Sequence, residues 1–169
     1  PHKTVRRQRQ MCIRDRAGGM TIFHTGDWKF DENPVIGPVS DISTLQSLGD
    51  AGVDVMIGDS TNAMVEGRTG SEDDARRGLI EAISAEQGRV AVTCFASNVA
   101  RVDSLIHAAR ETGRSPMLIG RALHRITDAA RSCGYLKHWP DMVGEDDYNL
   151  IPRENILLIC TGSQGEPRS

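Results

Sequence analysis

The sequence predicts an α/β protein whose larger part contains a parallel β-sheet. From about residue 71 onward, apolar runs of strand length alternate with helical segments, which is the pattern of consecutive βαβ units. The runs are rich in aliphatic and β-branched residues, as expected for parallel strands that are buried on both faces. Their positions are 89–95, 116–120 and 155–160. This order of elements predicts a Rossmann-like domain.

A shorter strand–helix–strand segment precedes this domain. Residues 20–26 (MTIFHTG) and residues 53–59 (VDVMIGD) are each predicted to form a strand. Between them, residues 41–52 predict a short helix with Asp41 as its N-cap, because a carboxylate there accepts hydrogen bonds from the first free N–H groups. An acid, Asp27 or Asp59, stands at or just after the end of each strand.

The helices of the Rossmann-like part carry their own start and stop signals. Ser71 and Asp74 have the spacing of a capping box at the start of the first helix. Gly113 and Gly134 end the two helices that follow. Residues 136–154 are acidic and aperiodic, so they predict an irregular connection on the surface.

Composition and charge exclude several classes of protein. The chain has 169 residues and a net charge of -3, so any contact with nucleic acid must come from local patches rather than from global positive charge. The 4 cysteines are far apart and form no CxxC pair, which argues against a disulfide framework or a zinc knuckle. No apolar run is long enough for a membrane-spanning helix. These features favour a cytoplasmic protein without membrane contact.

Residues 1–18 differ in character from the rest of the chain. They are basic and show neither helical nor strand periodicity. One interpretation is an RNA-binding arm. The other is that MCIRDR, residues 11–16, is translated adapter sequence joined to the broken end of a gene. We favour the second, in which residues 1–18 are non-native or disordered and the chain is an internal fragment of a longer protein.

The stretch HTGD, residues 24–27, places a carboxylate directly after the first predicted strand. Gly26 permits a tight turn at this point. A carboxylate in this position is solvated, anchors the next loop, or binds a ligand. The local sequence leaves these three roles open.

Small and hydrogen-bonding residues follow all three strands of the predicted parallel sheet, in FASN (95–98), GRALH (120–124) and TGSQGE (161–166). In open parallel sheets, ligands bind outside the C-terminal strand ends, where the first N–H groups of the next helix favour an anion. Arg121 adds a positive charge suited to phosphate. Each segment alone could be only a cap or a turn. Together they predict a phosphate-bearing ligand, but not a dinucleotide or ATP, since the chain has no GxGxxG motif and no Walker A lysine.

Several stretches of the sequence, taken together and in the order in which they occur, resemble ribonuclease J, a family with the metallo-β-lactamase fold and an inserted β-CASP domain. They are HTGDWKFDENP, GDSTNAMVEGRTGSE, VTCFASNVARV, IGRALHR, GYLK and ILLICTGSQGEPR, from about Gly19 to Ser169. The resemblance implies that residues 19–65 belong to the αββα metallo-β-lactamase domain and residues 66–169 to the β-CASP domain. It also implies that the intact protein is a metal-dependent ribonuclease. The implied activity is that of a 5′-to-3′ exonuclease, either alone or together with endonuclease activity.

The resemblance gives roles to both strand-end acids. Asp27 matches an aspartate that bridges two divalent metal ions, with zinc favoured over manganese or magnesium. Such ions generate a hydroxide and hold phosphate oxygens. Asp59 matches an acid that orients a histidine near the metals, whereas its local sequence alone predicts a loop N-cap. His24 is not a ligand in the family, so we expect it to pack or to support the turn.

The resemblance also implies a pocket for the 5′-phosphate of RNA and the backbone beside it. The matching residues are Ser97, Asn98, Ser163, Gln164 and Gly165, with Arg121 as a further candidate. The expected partner is RNA with a 5′-monophosphate end. The intact protein is expected to be a homo-oligomer.

The chain lacks the main metal-binding motif of the family, His-x-His-x-Asp-His. Its histidines, none of which has that spacing, are His2, His24, His107, His124 and His138. One carboxylate does not hold two metal ions. We therefore expect this fragment to be inactive alone and unable to bind both ions fully.

Two other functions are open from the sequence. The chain could be a non-catalytic RNA- or nucleotide-binding module whose only site is the sheet edge. It could also belong to a β-CASP nuclease that acts on DNA, because contacts to the 2′-OH decide between the two nucleic acids. A comparison of RNA and DNA oligonucleotides as substrates separates these functions.

Overall fold

The computed structural model describes residues 13–136, 138–140, 142–144 and 146–162. The chain divides into two compact units. The first unit comprises Pro1–Glu32 and Val39–Thr69, and the second comprises Asn33–Pro38 and Gly70–Ser169. The border predicted between residues 65 and 66 thus lies near the end of the first unit. The assignment of these units to named domains stays a prediction.

The described part of the first unit is built on a 3-stranded sheet with the order β1-β2-β3. Strand β1 (Ile13–Ala17) pairs antiparallel with β2 (Met20–His24), and β2 pairs parallel with β3 (Val55–Ile57). Helix α1 (Ile42–Asp50) lies between β2 and β3 in the chain, as parallel neighbours require a crossover. The strands and the helix predicted here are confirmed.

Strand β1 differs from the expectation that residues 1–18 are disordered. Residues 13–17 pair with β2 along its whole length. The pattern IRDRA has no apolar alternation, and Arg14, Asp15 and Arg16 are exposed. Because an edge strand is held through its backbone hydrogen bonds, it tolerates charged side chains, and this is why the sequence did not predict it. Residues 1–12 lie outside the described residues, and the origin of the segment stays a prediction.

Strand β3 is apolar but exposed. Val55, Met56 and Ile57 leave 42%, 55% and 49% of their surface exposed. The apolar run correctly predicts a strand, but burial also requires a second layer over its faces, and β3 ends the sheet order. Among the described residues of this unit, the buried side chains are those of Thr21, Phe23 and Thr25, which lie on or just after the central strand β2.

Asp41 is the N-cap of α1, as predicted. Its carboxylate accepts hydrogen bonds from the Thr44 N–H at 2.9 Å, the Thr44 hydroxyl at 2.6 Å and the Ser43 hydroxyl at 2.7 Å. These bonds, chiefly the one from the Thr44 side chain, lower the pKa of Asp41 to about 2. The helix therefore begins on a carboxylate that is ionised over most of the pH range.

The second unit contains the predicted parallel sheet, with strand order β4-β6-β5. The strands are β4 (Val90–Thr93), β5 (Ser115–Ile119) and β6 (Ile156–Cys160). The helices are α2 (Glu72–Ser84), α3 (Val99–Glu111) and α4 (Arg121–Ser132). This arrangement confirms the α/β class. Among the described residues, no helix is both long and apolar enough to cross a membrane.

The core of the second unit lies around α3 and the central strand β6. Leu105 on α3 and both Leu157 and Ile159 on β6 are 0% exposed. The core cluster is completed by Ile83, Cys94, Val102, Ile106, Ala108, Ala109, Leu118 and Leu123. Since α3 packs against β6 and β6 also has a strand neighbour on each side, its apolar run is mostly buried, as predicted.

The predicted capping box at the start of α2 is present. The Ser71 hydroxyl accepts from the Asp73 N–H at 3.0 Å, and the Ser71 N–H donates to the Asp74 carboxylate at 2.8 Å. The Ser71 hydroxyl also donates to the carbonyl of Asn33 at 3.0 Å. The cap therefore fixes the helix start and holds the segment Asn33–Pro38, which belongs to the same unit.

The described residues of the connection 136–154 are irregular, as predicted, with two 3₁₀ turns at Tyr148–Leu150 and Arg153–Asn155. The connection does not lie wholly on the surface. Leu136 is only 4% exposed, and the Trp139 indole N–H donates to the carboxylate of Asp103 at 2.6 Å. The sequence missed this anchor because its two residues are 36 positions apart.

Candidate functional site

The two strand-end acids of the first unit follow parallel neighbouring strands. Asp27 comes after β2 and Asp59 after β3, so both lie beyond the same edge of the sheet. The Thr25 N–H donates to the carbonyl of Ile57 at 2.9 Å. The Asp59 N–H donates to the Thr25 hydroxyl at 3.1 Å. The chain segments that carry the two acids are thus bonded to each other.

The turn before Asp27 depends on a glycine and a histidine. Gly26 has φ 63, a conformation that favours glycine. Its N–H donates to the His24 Nδ1 at 2.9 Å. His24 therefore supports the turn, which is one of the two roles expected for it. The carboxylate of Asp27 is exposed just after this turn.

Asp59 caps its own loop. Its Oδ1 accepts from both the N–H of Thr61 at 2.9 Å and the Thr61 hydroxyl at 2.6 Å. These bonds, the side-chain one first, lower the pKa of Asp59. Neither bond uses Oδ2. The loop cap that the local sequence predicts is therefore present, and the role implied by the resemblance stays a prediction.

The described residues do not form a metal site by themselves. Within ranges 13–136, 138–140, 142–144 and 146–162, no three or more His, Cys, Asp or Glu residues are grouped so that they could hold a metal ion. Asp27 offers one carboxylate, whereas sites for divalent ions draw on several ligands.

The parallel sheet of the second unit brings its three strand ends to one edge. The Cys94 N–H donates to the carbonyl of Cys160 at 3.1 Å, and the Thr161 N–H donates to the carbonyl of Ile119 at 3.2 Å. The segments FASN and GRALH thus flank the start of TGSQGE, which follows the central strand. The structure therefore brings together the strand ends that the sequence predicts to share a ligand.

Asn98 and Ser97 lie at the start of α3. Asn98 is its N-cap, and the Asn98 Oδ1 accepts from the Arg101 N–H at 3.0 Å. Ser97 is exposed, and its carbonyl accepts from the Val99 N–H at 3.1 Å. Asn98 therefore already has a structural role, while the exposed hydroxyl of Ser97 is open to solvent at the same edge.

Arg121 is the first residue of α4 and is exposed. The N-cap of this helix is Gly120, which gives the first N–H groups no side-chain hydrogen bond. A helix start of this kind presents donors and partial positive charge to solvent, and Arg121 adds a full charge beside them. His124, one turn further along, is also exposed.

Gly120 is required by the close approach of two strand ends. It has φ 115, and a Cβ at this position would lie 2.3 Å from the hydroxyl oxygen of Thr161. Any larger residue would clash with the Thr161 side chain and would strain the backbone at this φ. The predicted residues Ser163, Gln164 and Gly165 lie outside the described residues, so their roles stay predictions.

Two cysteine thiols, those of Cys94 and Cys160, lie near this edge. Burial raises the pKa of both Cys94 and Cys160, although the nearby charge of Arg101 acts in the opposite direction on Cys94. Both thiols are therefore protonated near neutral pH, and a protonated thiol is neither a nucleophile nor a good metal ligand. Cys94 packs in the core, as its apolar surroundings in the sequence indicate.

An ion pair that the sequence did not predict holds the start of α3. The Arg101 guanidinium binds the Glu72 carboxylate through two contacts, Nε–Oε1 at 2.6 Å and Nη2–Oε2 at 3.2 Å. This geometry fixes both groups in direction as well as in distance. The pair supports the FASN end, because Arg101 also donates its backbone N–H to Asn98. No short-range spacing signals a pair separated by 29 positions.

Comparisons with known proteins agree with this architecture. Residues 87–169 match the family model described as Ribonuclease J, beta-CASP domain. The chain is 41% identical to Ribonuclease J of Sinorhizobium meliloti over 159 residues, which cover 94% of this chain and 28% of the relative. It is 40% identical to Ribonuclease J of Mycolicibacterium smegmatis over 158 residues, covering 93% and 28%. Ribonuclease J2 of Bacillus subtilis is 34% identical over 148 residues, covering 87% and 27%. The chain thus spans about 28% of the length of these relatives.

Proposed function

We infer from these comparisons that the chain belongs to the ribonuclease J family, and we propose that it is a segment of a metal-dependent ribonuclease that processes and degrades RNA. The observation that carries the proposal is that the matched residues 87–169 contain the parallel sheet whose strand ends meet at one edge. Several relatives over nearly the whole chain support the same assignment.

The proposed substrate is RNA with a 5′-monophosphate end, held at the edge of the β4-β6-β5 sheet. Support comes from the helix start at Gly120 without a side-chain cap, from the charge of Arg121 and from the exposed Ser97. Backbone N–H groups at a helix start and an arginine suit a phosphate dianion. We assign Asn98, Ser163, Gln164 and Gly165 to the same pocket by their match to the family. Binding of the 5′ end favours exonuclease action from that end.

Metal dependence is general for the family. We propose that Asp27 supplies one ligand to a site for two divalent ions, with zinc as the favoured metal. The exposed carboxylate beyond the central strand β2 supports this role. The remaining ligands are assigned to parts of the intact protein outside this chain. For Asp59 we propose the orientation of a histidine through Oδ2, the oxygen that takes neither hydrogen bond from Thr61.

We also place the intact protein in the cytoplasm. The described cysteines Cys94, Cys133 and Cys160 are free thiols, which suits a reducing compartment. The expected homo-oligomer stays a prediction.

The test of this function is Asp27→Ala in the intact protein. We expect turnover on 5′-monophosphate RNA to fall by about 100-fold or more, together with the content of bound metal, because a metal ligand is lost. Asp50→Ala is the matched control, since it removes another exposed acid of the same unit at the end of α1. Turnover and metal content that both survive in the Asp27 variant would overturn the assignment.

A further inference from the structure

The side chain of Thr25 joins the two chain segments that carry Asp27 and Asp59. Thr25 is 0% exposed. Its hydroxyl donates to the carbonyl of Gly26 at 2.7 Å and accepts from the Asp59 N–H at 3.1 Å. The hydroxyl therefore donates its only proton in a hydrogen bond to the segment that carries Asp27, and it accepts with a lone pair from the segment that carries Asp59.

The backbone of Thr25 is fixed as well. Its N–H donates to the carbonyl of Ile57 at 2.9 Å, which extends the pairing of β2 with β3 beyond His24 and Ile57. The residue thus has a set register opposite the end of β3. A hydroxyl on this fixed backbone has a set position too, particularly because threonine is stiff at χ1.

The turn in front of Asp27 is held at both of its polar backbone groups. The Gly26 N–H donates to His24 Nδ1, and the Gly26 carbonyl accepts from the Thr25 hydroxyl. The flanking side chains therefore fix the orientation of both peptide planes at a glycine, the residue type with the most backbone freedom. Loss of the Thr25 hydroxyl would release one of them.

Loss of the hydroxyl would also leave the N–H of Asp59 facing an apolar group. Valine has nearly the shape of threonine but offers a methyl group in place of the hydroxyl. The Asp59 N–H and the Gly26 carbonyl would then lose a buried partner, which favours a shift of both loops toward solvent. Serine keeps the hydroxyl and restores both bonds.

We propose that Thr25 is a positioning residue, whose hydroxyl sets the place of Asp59 relative to the turn that presents Asp27. The effect of Thr25 on turnover rests on the proposed ribonuclease function, whereas the hydrogen-bonded coupling of the loops does not. Thr25 itself touches neither substrate nor metal in this proposal.

The test compares Thr25→Val with Thr25→Ser in the intact protein, by amide hydrogen exchange resolved at Asp59. Exchange at this N–H is expected to rise about tenfold in the valine variant, since one net hydrogen bond corresponds to about that factor, and to stay within about twofold of the parent in the serine variant. Thr61→Val is the matched control, because it removes the bond to the Asp59 side chain and not the bond to its N–H. Unchanged exchange in the valine variant would overturn the proposal.

Turnover on RNA separates this proposal from the proposed function. We expect the valine variant to lower kcat with little change in KM, and the serine variant to restore kcat. If the parent degrades RNA and the valine variant exchanges faster at Asp59 with an unchanged kcat, the positioning role is wrong and the ribonuclease function stands. If the parent has no activity on RNA, the ribonuclease function fails, and the exchange rates alone decide the coupling.

Discussion

Among single residues, Gly120 lies against the side chain of Thr161 at the proposed phosphate site, where no Cβ fits. A Cβ there would meet the Thr161 hydroxyl at 2.3 Å, and φ is 115. We predict that Gly120→Ala lowers the free energy of unfolding by about 3 kcal/mol, since backbone strain and a steric clash add. Denaturant unfolding of the variant and its parent measures this difference.

The matched control for Gly120 is Gly113→Ala. Gly113 also has a positive φ, 67, but a Cβ there meets nothing within 4 Å. Only the backbone term remains, at about 1 kcal/mol. Equal losses in the two variants would show that the contact with Thr161 does not matter.

Two neighbouring arginines of α2 differ in the burial of their partners. The Arg76 guanidinium binds the Asp103 carboxylate at 2.5 Å, with side-chain exposures of 17% and 5%. Arg77 pairs with Asp73 and Asp74, and its own side chain is 62% exposed. Asp103 also accepts from the indole of Trp139 at 2.6 Å and lies 3.3 Å from His138. The buried carboxylate therefore joins α2, α3 and the connection after α4.

We predict that Arg76→Ala lowers the free energy of unfolding by about 3 kcal/mol, because it leaves the charge of Asp103 buried without its cation. Arg77→Ala in the same helix is expected to change it by less than about 1 kcal/mol, because exposed ion pairs contribute little. Thermal unfolding of both variants tests the contrast. Similar losses of unfolding free energy in the two variants would mean that the buried pair of Arg76 and Asp103 stabilises the fold no more than an exposed pair does.

At the scale of elements, the start of α1 is sensitive to acid. Hydrogen bonds from Thr44 and Ser43 lower the pKa of Asp41 from an ordinary 3.8 to about 2. Since the folded pKa is the lower one, the contribution of this cap to stability is present above about pH 4 and is lost as the pH falls through about 2. The cap is therefore expected to act fully at neutral pH.

We predict that Thr44→Val moves the pKa of Asp41 back toward 3.8 by more than Ser43→Ala does, because the Thr44 side chain is the larger cause. An NMR titration of the Asp41 carboxyl carbon measures both shifts. A pKa near 3.8 in the parent protein would refute the cap geometry.

Local sequence signals predict some of the helices and strands and miss others. Ser71 with Asp74, and Asp41 alone, predict helix starts because caps act over a few neighbouring residues. Strand β1 was missed because its pairing with β2 is made by the backbone, which leaves no pattern in IRDRA. The exposure of β3 depends on what packs over it, and no periodicity within its own residues contains that information.

Across the whole molecule, the sequence likewise predicts some features of the candidate sites and misses others. The meeting of FASN, GRALH and the start of TGSQGE follows from parallel topology, and so the sequence predicts it. The bonds that hold the two candidate sites do not follow from topology. Arg101 pairs with Glu72 beside the FASN end over 29 positions, and Thr25 pairs with Asp59 in the first unit over 34 positions. Long-range pairs of this kind depend on the folded geometry and have no local signal.

The sheet edge of the second unit is proposed to bind the 5′-phosphate of RNA. The most direct measurement is the ratio of kcat/KM on 5′-monophosphate RNA to that on 5′-hydroxyl RNA, for the intact protein and its Ser163→Ala and Gln164→Ala variants. A 5′-phosphate pocket at this edge should give a ratio well above one in the parent and a fall of about tenfold in the variants, with bound metal unchanged. Gln87→Ala, an exposed glutamine before β4, should keep the parent ratio. A ratio near one in the parent, or the same ratio in all variants, would contradict the claim.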